Sequence, residues 1–305
     1  MFKKFCPLWH FVLLMALLLQ ATPSQASNLV RCQYMGCSKG IEVSKLTYRS
    51  GALLVKARLY LPPNEGRPLP VVIFSHDGNS GISRQHHISC LRLAGWGYAV
   101  IAPSYRGEDG SQGKVEIAKG EVDDVLNLWP VMSELTQLDA NNVTLMGASH
   151  GALISLLAAS RQPQIKGVIF AYGVADIYSW WHYITDDGKR LGDKLTRDTY
   201  GAGPLDRPQS FALRCGLDAV PRLQAPLLIL QGELDTITPP DQALALKEKC
   251  DQCGKECELY LFPHALHGFL VYAPYLVKDV TPEEKAETEI AWQKVREFLG
   301  QSLGK

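Results

Sequence analysis

An excess of charge of either sign is missing from this chain. Lys plus Arg and Asp plus Glu both number 31, so the formal net charge is zero. Nucleic-acid binders and proteins that sit on anionic membrane surfaces ordinarily carry a basic excess, so neither class is expected here. Internal repeats, low-complexity tracts and long charge runs are missing too, which argues against solenoids and disordered tails. A membrane-spanning run is also lacking. The apolar stretch Phe11 to Leu19 covers about nine residues, where a spanning helix needs about 20 and a secretory signal core about 7–15.

That short run lies in the setting of a signal peptide. Lys3 and Lys4 precede it, and Ser24-Gln25-Ala26 supplies small residues for cleavage. Residues 1–26 are therefore expected to be removed, leaving a mature chain from Ser27 in the periplasm or outside the cell. No cysteine follows directly, so a lipoprotein anchor is not expected. Of eight cysteines, Cys6 leaves with the signal, and Cys32, Cys37, Cys90, Cys215, Cys250, Cys253 and Cys257 remain. An odd number cannot all pair. The close sets, Cys32 with Cys37 and the trio Cys250, Cys253 and Cys257, suggest local staples. At least two disulfides and one leftover thiol are expected. No histidine stands inside the trio, which favours disulfides over a metal site.

What remains is an ordinary globular composition: 305 residues, 46% hydrophobic and 20% charged, read as one large α/β domain over 27–305. Val43 to Tyr48 and Leu53 to Leu61 alternate around Ser50-Gly51 as a hairpin. Short continuous apolar runs follow at Val71 to Phe74, Tyr98 to Ala102, Val143 to Met146, Ile165 to Tyr172, Pro226 to Leu230 and Leu259 to Phe262. Such runs mark strands buried on both faces. Helical patterns alternate with them at Gln85 to Ala94, Val115 to Leu135 (broken at Pro130), Ala152 to Ser160, Asp241 to Lys249 and Pro282 to Leu299. Strand and helix in alternation predict a mainly parallel sheet with helices on both faces. Residues 173–225 break the rhythm and are expected to form a cap. Their Trp180, Trp181 and Tyr183 either line a substrate pocket or pack the cap onto the body.

The chemistry starts at Val143 to Ala152. A β-rich run and a helix-like run are separated only by Gly147-Ala148-Ser149-His150-Gly151, the G-x-S-x-G nucleophile elbow in its strand–turn–helix setting. The turn strains the serine and brings neighbouring chain close, so side chains at the two glycines would collide. The helix start points N–H groups at a developing oxyanion. Ser149 needs a base and the base needs an acid. Asp235 and His267 both fall in loops directly after strands, hence on the same sheet edge as Ser149, in the chain order Ser, Asp, His. His264 competes as the base and Asp241 as the acid. His264 reads better as structural, after Pro263, and Asp241 as a helix-start residue.

The span from Ser44 to Leu299 resembles α/β-hydrolases of the dienelactone hydrolase and prolyl oligopeptidase-like group. The residues that carry the likeness are Phe74-Ser75-His76-Asp77-Gly78, then Gly97-Tyr98-Ala99-Val100 with Pro103, Tyr105, Arg106 and Gly107, then the elbow. Leu228-Ile229-Leu230-Gln231-Gly232 with Asp235 and Pro239, and His267-Gly268-Phe269, complete the set. The resemblance implies Ser149 as nucleophile, His267 as base and Asp235 as acid. It also implies an oxyanion hole from the His150 N–H and an N–H of the 76–78 loop, at Asp77 or Gly78. The chain departs from dienelactone hydrolases proper, which use a cysteine nucleophile. It also leaves no room for the N-terminal propeller of prolyl oligopeptidases. A carboxylic ester hydrolase acting on a small molecule is therefore expected, without metal or organic cofactor. A peptidase on short peptides is the alternative, and a silent fold kept for binding is a third reading.

Overall fold

The structure, a computed structural model, describes residues 27–64, 66–185, 194–273 and 280–304. The expected signal segment lies outside the described residues. Nine strands form one sheet in the order β1-β2-β3-β5-β4-β6-β7-β8-β9. Strands β1 (Leu29–Ser38), β2 (Ile41–Ser50) and β3 (Leu53–Leu61) pair antiparallel, and β3 joins β5 (Ala99–Pro103) antiparallel. From there the sheet is parallel through β4 (Leu69–Ser75), β6 (Leu138–Ala148), β7 (Gly167–Ala171), β8 (Leu227–Gly232) and β9 (Cys257–Phe262).

The apolar runs are continuous because both sheet faces are covered. Along β4, Val71 and Ile73 enter one core, while Val72 and Phe74 enter the other. The first core is closed by α2 (Gly120–Leu126), α3 (Leu128–Ser133), α4 (His150–Ala159) and α8 (Asp241–Gln252), the second by α1 (Arg84–Gly95) and α9 (Pro282–Leu303). The chain leaves β4 for β5 on one side and later returns to β6 on the other. That reversal opens a crevice at the carboxyl ends of the strands, where the loops after β4, β6, β8 and β9 meet. Residues 173–225 contribute α5 (Ile177–Thr185), α6 (Lys194–Tyr200), α7 (Pro208–Ala212) and a 3-10 turn at Val220–Arg222. They have a small core of their own around Trp181, Tyr200 and Phe211.

Several expectations need correction. The helical pattern from Val115 does not begin a helix there. Residues 115–119 form a loop, and α2 and α3 follow, divided at Asn127 rather than at Pro130. Pro130 lies in the first turn of α3, where its missing N–H costs nothing. The last helix passes Gly300 and ends at Gly304, whose φ of 70° suits a left-handed cap. The exposed edge strand β1 was not foreseen, because its burial pattern has no apolar face to read.

The disulfides are not met either: Cys32, Cys37, Cys90, Cys215, Cys250, Cys253 and Cys257 are all free thiols. Cys32 and Cys37 both lie on β1. Five residues of strand separate their Cα atoms by roughly 16 Å, where a disulfide needs about 7 Å or less. That staple is excluded by the very element that contains it. Cys90 and Cys215 are buried apart, the first in the α1 core and the second in the insertion's core. In the trio, Cys250 is buried in the last turn of α8, Cys253 follows as the cap of that helix, and Cys257 begins β9. No helix among the described residues is long and apolar enough to cross a membrane.

Candidate active site

The elbow is built by close approach. Ser149 has φ 50° and ψ −117°, a left-handed conformation that costs strain for a residue with a Cβ. A Cβ on Gly147 would stand 2.1 Å from the Gly151 carbonyl oxygen, and one on Gly151 would stand 2.0 Å from the Ser75 oxygen. Backbone cannot yield at such distances, so both positions require glycine. The Ser149 N–H donates to the Ala171 oxygen at 2.9 Å, which ties the turn to β7.

The loops after β8 and β9 bring the other two groups to it. Ser149 Oγ lies 3.0 Å from His267 Nε2, and His267 Nδ1 lies 2.8 Å from Asp235 Oδ2. Asp235 has a fully buried side chain. Its Oδ1 accepts from the N–H groups of Ile237 at 2.8 Å and Thr238 at 2.9 Å, and Oδ2 from Gln231 Nε2 at 3.2 Å. Burial pushes its pKa up, but the His267 hydrogen bond and charge and the two N–H groups outweigh this. The net effect is a pKa below the ordinary aspartate value. Asp235 therefore remains a carboxylate, takes the Nδ1–H of His267, and leaves the Nε2 lone pair aimed at Ser149.

The competitors lie elsewhere. His264 is exposed and bonded through Nδ1 to Glu287 of α9 at 2.7 Å. Asp241 is the exposed first residue of α8. His76 is completely buried, with Nε2 3.1 Å from Glu108 Oε2, and does not line the cavity that holds Ser149.

Gly78 lines the same cavity as Ser149 and His150. His150, the first residue of α4, has a backbone N–H with no acceptor inside the helix. Its ring Nδ1–H donates to the Gly78 oxygen at 2.9 Å, which locks the loop against the helix start. Asp77 is held from behind. Its Oδ1 accepts from Tyr272 Oη at 2.6 Å and lies 3.0 Å from His86 Nε2. Burial raises the Asp77 pKa, yet the His86 and Tyr272 hydrogen bonds and the nearby histidines bring it below the usual value. Thus the Asp77 side chain anchors the loop, and Tyr272 connects that anchor to the segment five residues past His267. Sequence reasoning missed His86, Glu108 and Tyr272, because nothing in the spacing of isolated polar residues announces such contacts.

The cavity beside Ser149 has a volume of about 280 Å³ and is mostly apolar, with Ile117, Leu153, Ile177, Trp180, Tyr200 and Ile237 in its wall. Of the three aromatics expected to bind substrate, only Trp180 is in that wall, fixed by its Nε1–H to the Ile237 oxygen at 3.1 Å. Trp181 packs inside the insertion's core against Tyr200 and Phe211. Tyr183 donates its hydroxyl to the Thr236 oxygen at 3.0 Å. Their roles separate because adjacent helical residues point about 100° apart. The Tyr105-Arg106-Gly107 motif is structural. Arg106 clamps Asp124 at 2.9 Å and Glu116 at 2.7 Å.

Comparison with known proteins identifies the family and the fold. The model of a family described as the prolyl oligopeptidase family matches residues 84–282. The Bacillus subtilis protein named uncharacterized peptidase YtmA is 23% identical over 233 residues, which cover 76% of this chain and 88% of that protein. Among solved structures, the acylaminoacyl peptidase of Pyrococcus horikoshii superimposes with a TM-score of 0.72 at 20% identity, covering 88% of this chain and 42% of that one. A Klebsiella pneumoniae protein described as a dienelactone hydrolase gives 0.65 at 20% identity, covering 86% and 99%. These likenesses establish a shared α/β-hydrolase fold.

Proposed function

Because this chain belongs to the prolyl oligopeptidase family of serine hydrolases, we propose that it cleaves carboxylic esters of small molecules through Ser149, His267 and Asp235. The observation that carries the reading is the continuous relay, 3.0 Å from Ser149 Oγ to His267 Nε2 and 2.8 Å from His267 Nδ1 to Asp235 Oδ2, opening into an apolar cavity. His267 takes the serine proton as Oγ attacks the ester carbonyl carbon. The backbone N–H of His150 and one from the 77–78 segment hold the oxyanion. His267 then protonates the departing alkoxide, and water repeats the sequence on the acyl-enzyme. Asp235 stays ionised throughout and stabilises the imidazolium.

The cavity supports the choice of ester. Among the described residues that line it there is no Asp, Glu, Lys or Arg. An uncharged acyl group can be buried there without an unpaired ion, whereas a free α-ammonium would meet no counter-charge. The peptidase alternative draws on the peptidase names of two of the similar proteins. A paired screen of p-nitrophenyl esters against aminoacyl p-nitroanilides decides between them. Turnover confined to, or at least about a hundredfold faster on, the esters is the expected result. Comparable kcat/KM on the anilides would assign the protein to the peptidases.

The proposal includes export. The motive is the segment Lys3 to Ala26, read as a cleaved signal. Intact mass of the protein recovered from its native host is expected to correspond to a chain starting at Ser27. A mass that retains residues 1–26 would overturn it.

A further inference from the structure

The loop at 115–119, where the sequence pattern predicts a helix, forms part of the cavity wall. In it Ile117 and Ala118 both have φ of 52°. Left-handed backbone is uncommon for any residue with a Cβ and strained for a β-branched one. It persists only where surrounding structure over-determines it. Here two buried charged side chains do so. Glu121, 1% exposed at the start of α2, accepts from three backbone N–H groups. Its Oε1 takes those of Glu116 at 2.6 Å and Ile117 at 3.2 Å, and its Oε2 takes that of Lys119 at 3.1 Å. Arg214, 3% exposed, comes from the 173–225 insertion. It donates Nη2–H to the Glu116 oxygen at 2.6 Å, Nε–H to the Ile117 oxygen, and Nη1–H to the Ser210 oxygen at 2.8 Å.

The backbone groups of one turn are thus held from two sides, the donors by a carboxylate of the body and the acceptors by a guanidinium of the insertion. Burying two charges is costly, and apolar replacements often serve stability as well or better. What apolar residues could not do is dictate this backbone conformation. Its consequence is local: the Ile117 side chain faces the cavity beside Ser149 and packs against the insertion's core.

We propose that Glu121 and Arg214 are positioning residues that hold Ile117 as the wall of the acyl pocket, and that this wall limits the length of acyl chain accepted. The inference rests on the ester-hydrolase reading above. A strained isoleucine in that place gives the pocket a defined end. Arginine is suited to the task because its planar fork reaches two adjacent carbonyl oxygens, which a lysine ammonium cannot do in the same geometry.

The test is a chain-length series of p-nitrophenyl esters, acetyl to octanoyl, on wild type, Ile117→Gly, Glu121→Gln and Arg214→Gln. Fluorophosphonate labelling of Ser149 and thermal melting accompany each. In Ile117→Gly the ratio of kcat/KM for octanoyl over butanoyl ester is expected to rise about tenfold, the scale of one or two methylenes in a pocket. The change should fall on KM more than on kcat. Glycine accepts the observed φ freely, which offsets part of the packing lost with the isoleucine side chain, so this variant is expected to melt somewhat lower than wild type and to stay folded. Glu121→Gln and Arg214→Gln are expected to shift the same ratio in the same direction with a lower melting temperature. An equal loss on every ester, or an unchanged ratio in the folded, labelled Ile117→Gly variant, would overturn the proposal, whether or not the Arg214 variant folds. A wild type that neither labels nor turns over any ester would instead bring down the hydrolase reading itself.

Discussion

Replacing Ser149 with alanine is expected to remove turnover, lowering kcat on the order of a million-fold, and to leave the fold unchanged. Both halves follow from where the hydroxyl sits. Ser149 Oγ bonds His267 Nε2 at 3.0 Å and gives no side-chain bond to the start of α4. Its loss therefore uncaps no helix. The backbone N–H to the Ala171 oxygen is kept, and alanine bears the same left-handed strain that serine does. Only the partly exposed hydrogen bond to His267 is lost, so stability should change by no more than about 1 kcal/mol. The check is kcat on one activated ester together with a thermal melt. A folded variant that kept more than about a tenth of wild-type activity would place the nucleophile elsewhere.

His267→Ala should be as damaging, since a serine without a base and a base without a serine are equally unable to form the acyl-enzyme. The double variant with Ser149→Ala should be no worse than either single one. Asp235→Asn should cost on the order of 10⁴ in kcat, the effect of presenting the wrong tautomer. Here the amide would also face the N–H groups of Ile237 and Thr238, which now donate to Oδ1 at 2.8 and 2.9 Å. His264→Ala supplies the contrast. That ring is 56% exposed and paired with Glu287, so kcat should move less than about twofold. Measured side by side on one ester, equal losses at His264 and His267, or near-normal activity in His267→Ala, would dismantle the assignment.

Much of this was legible in the chain because local signals and the global fold agree. Strands β4, β7 and β8 stand out as unbroken apolar runs, and their burial on both faces is the reason. The elbow is legible because two glycines at a strand–helix junction have one main use. Asp235 and His267 are legible because a parallel sheet must deliver every post-strand loop to the same edge. Those inferences need only periodicity, turn chemistry and chain order.

Where a side chain from one loop settles the backbone of another, the sequence has no local trace of it. Val115 to Leu135 reads as a helix, but Glu121 takes the N–H groups of Glu116, Ile117 and Lys119, and Arg214 takes two carbonyl oxygens from nearly 100 residues away. The helix therefore starts only at Gly120. Spacing alone likewise suggested a Cys32–Cys37 staple, which the extended strand between them forbids. Trp180 and Trp181 are indistinguishable in sequence, yet one reaches the cavity and the other the insertion's core. The anchoring of Asp77 by Tyr272 joins residues 195 apart in the chain. The sequence by itself determined the fold class, the sheet edge and the three side chains proposed to react, since each follows from short-range pattern and topology. Only the tertiary structure decided the pocket wall, the bracing of the 76–78 loop and the placement of the cysteines. Those depend on distances between segments remote in the chain, and such distances exist only once the sheet has closed.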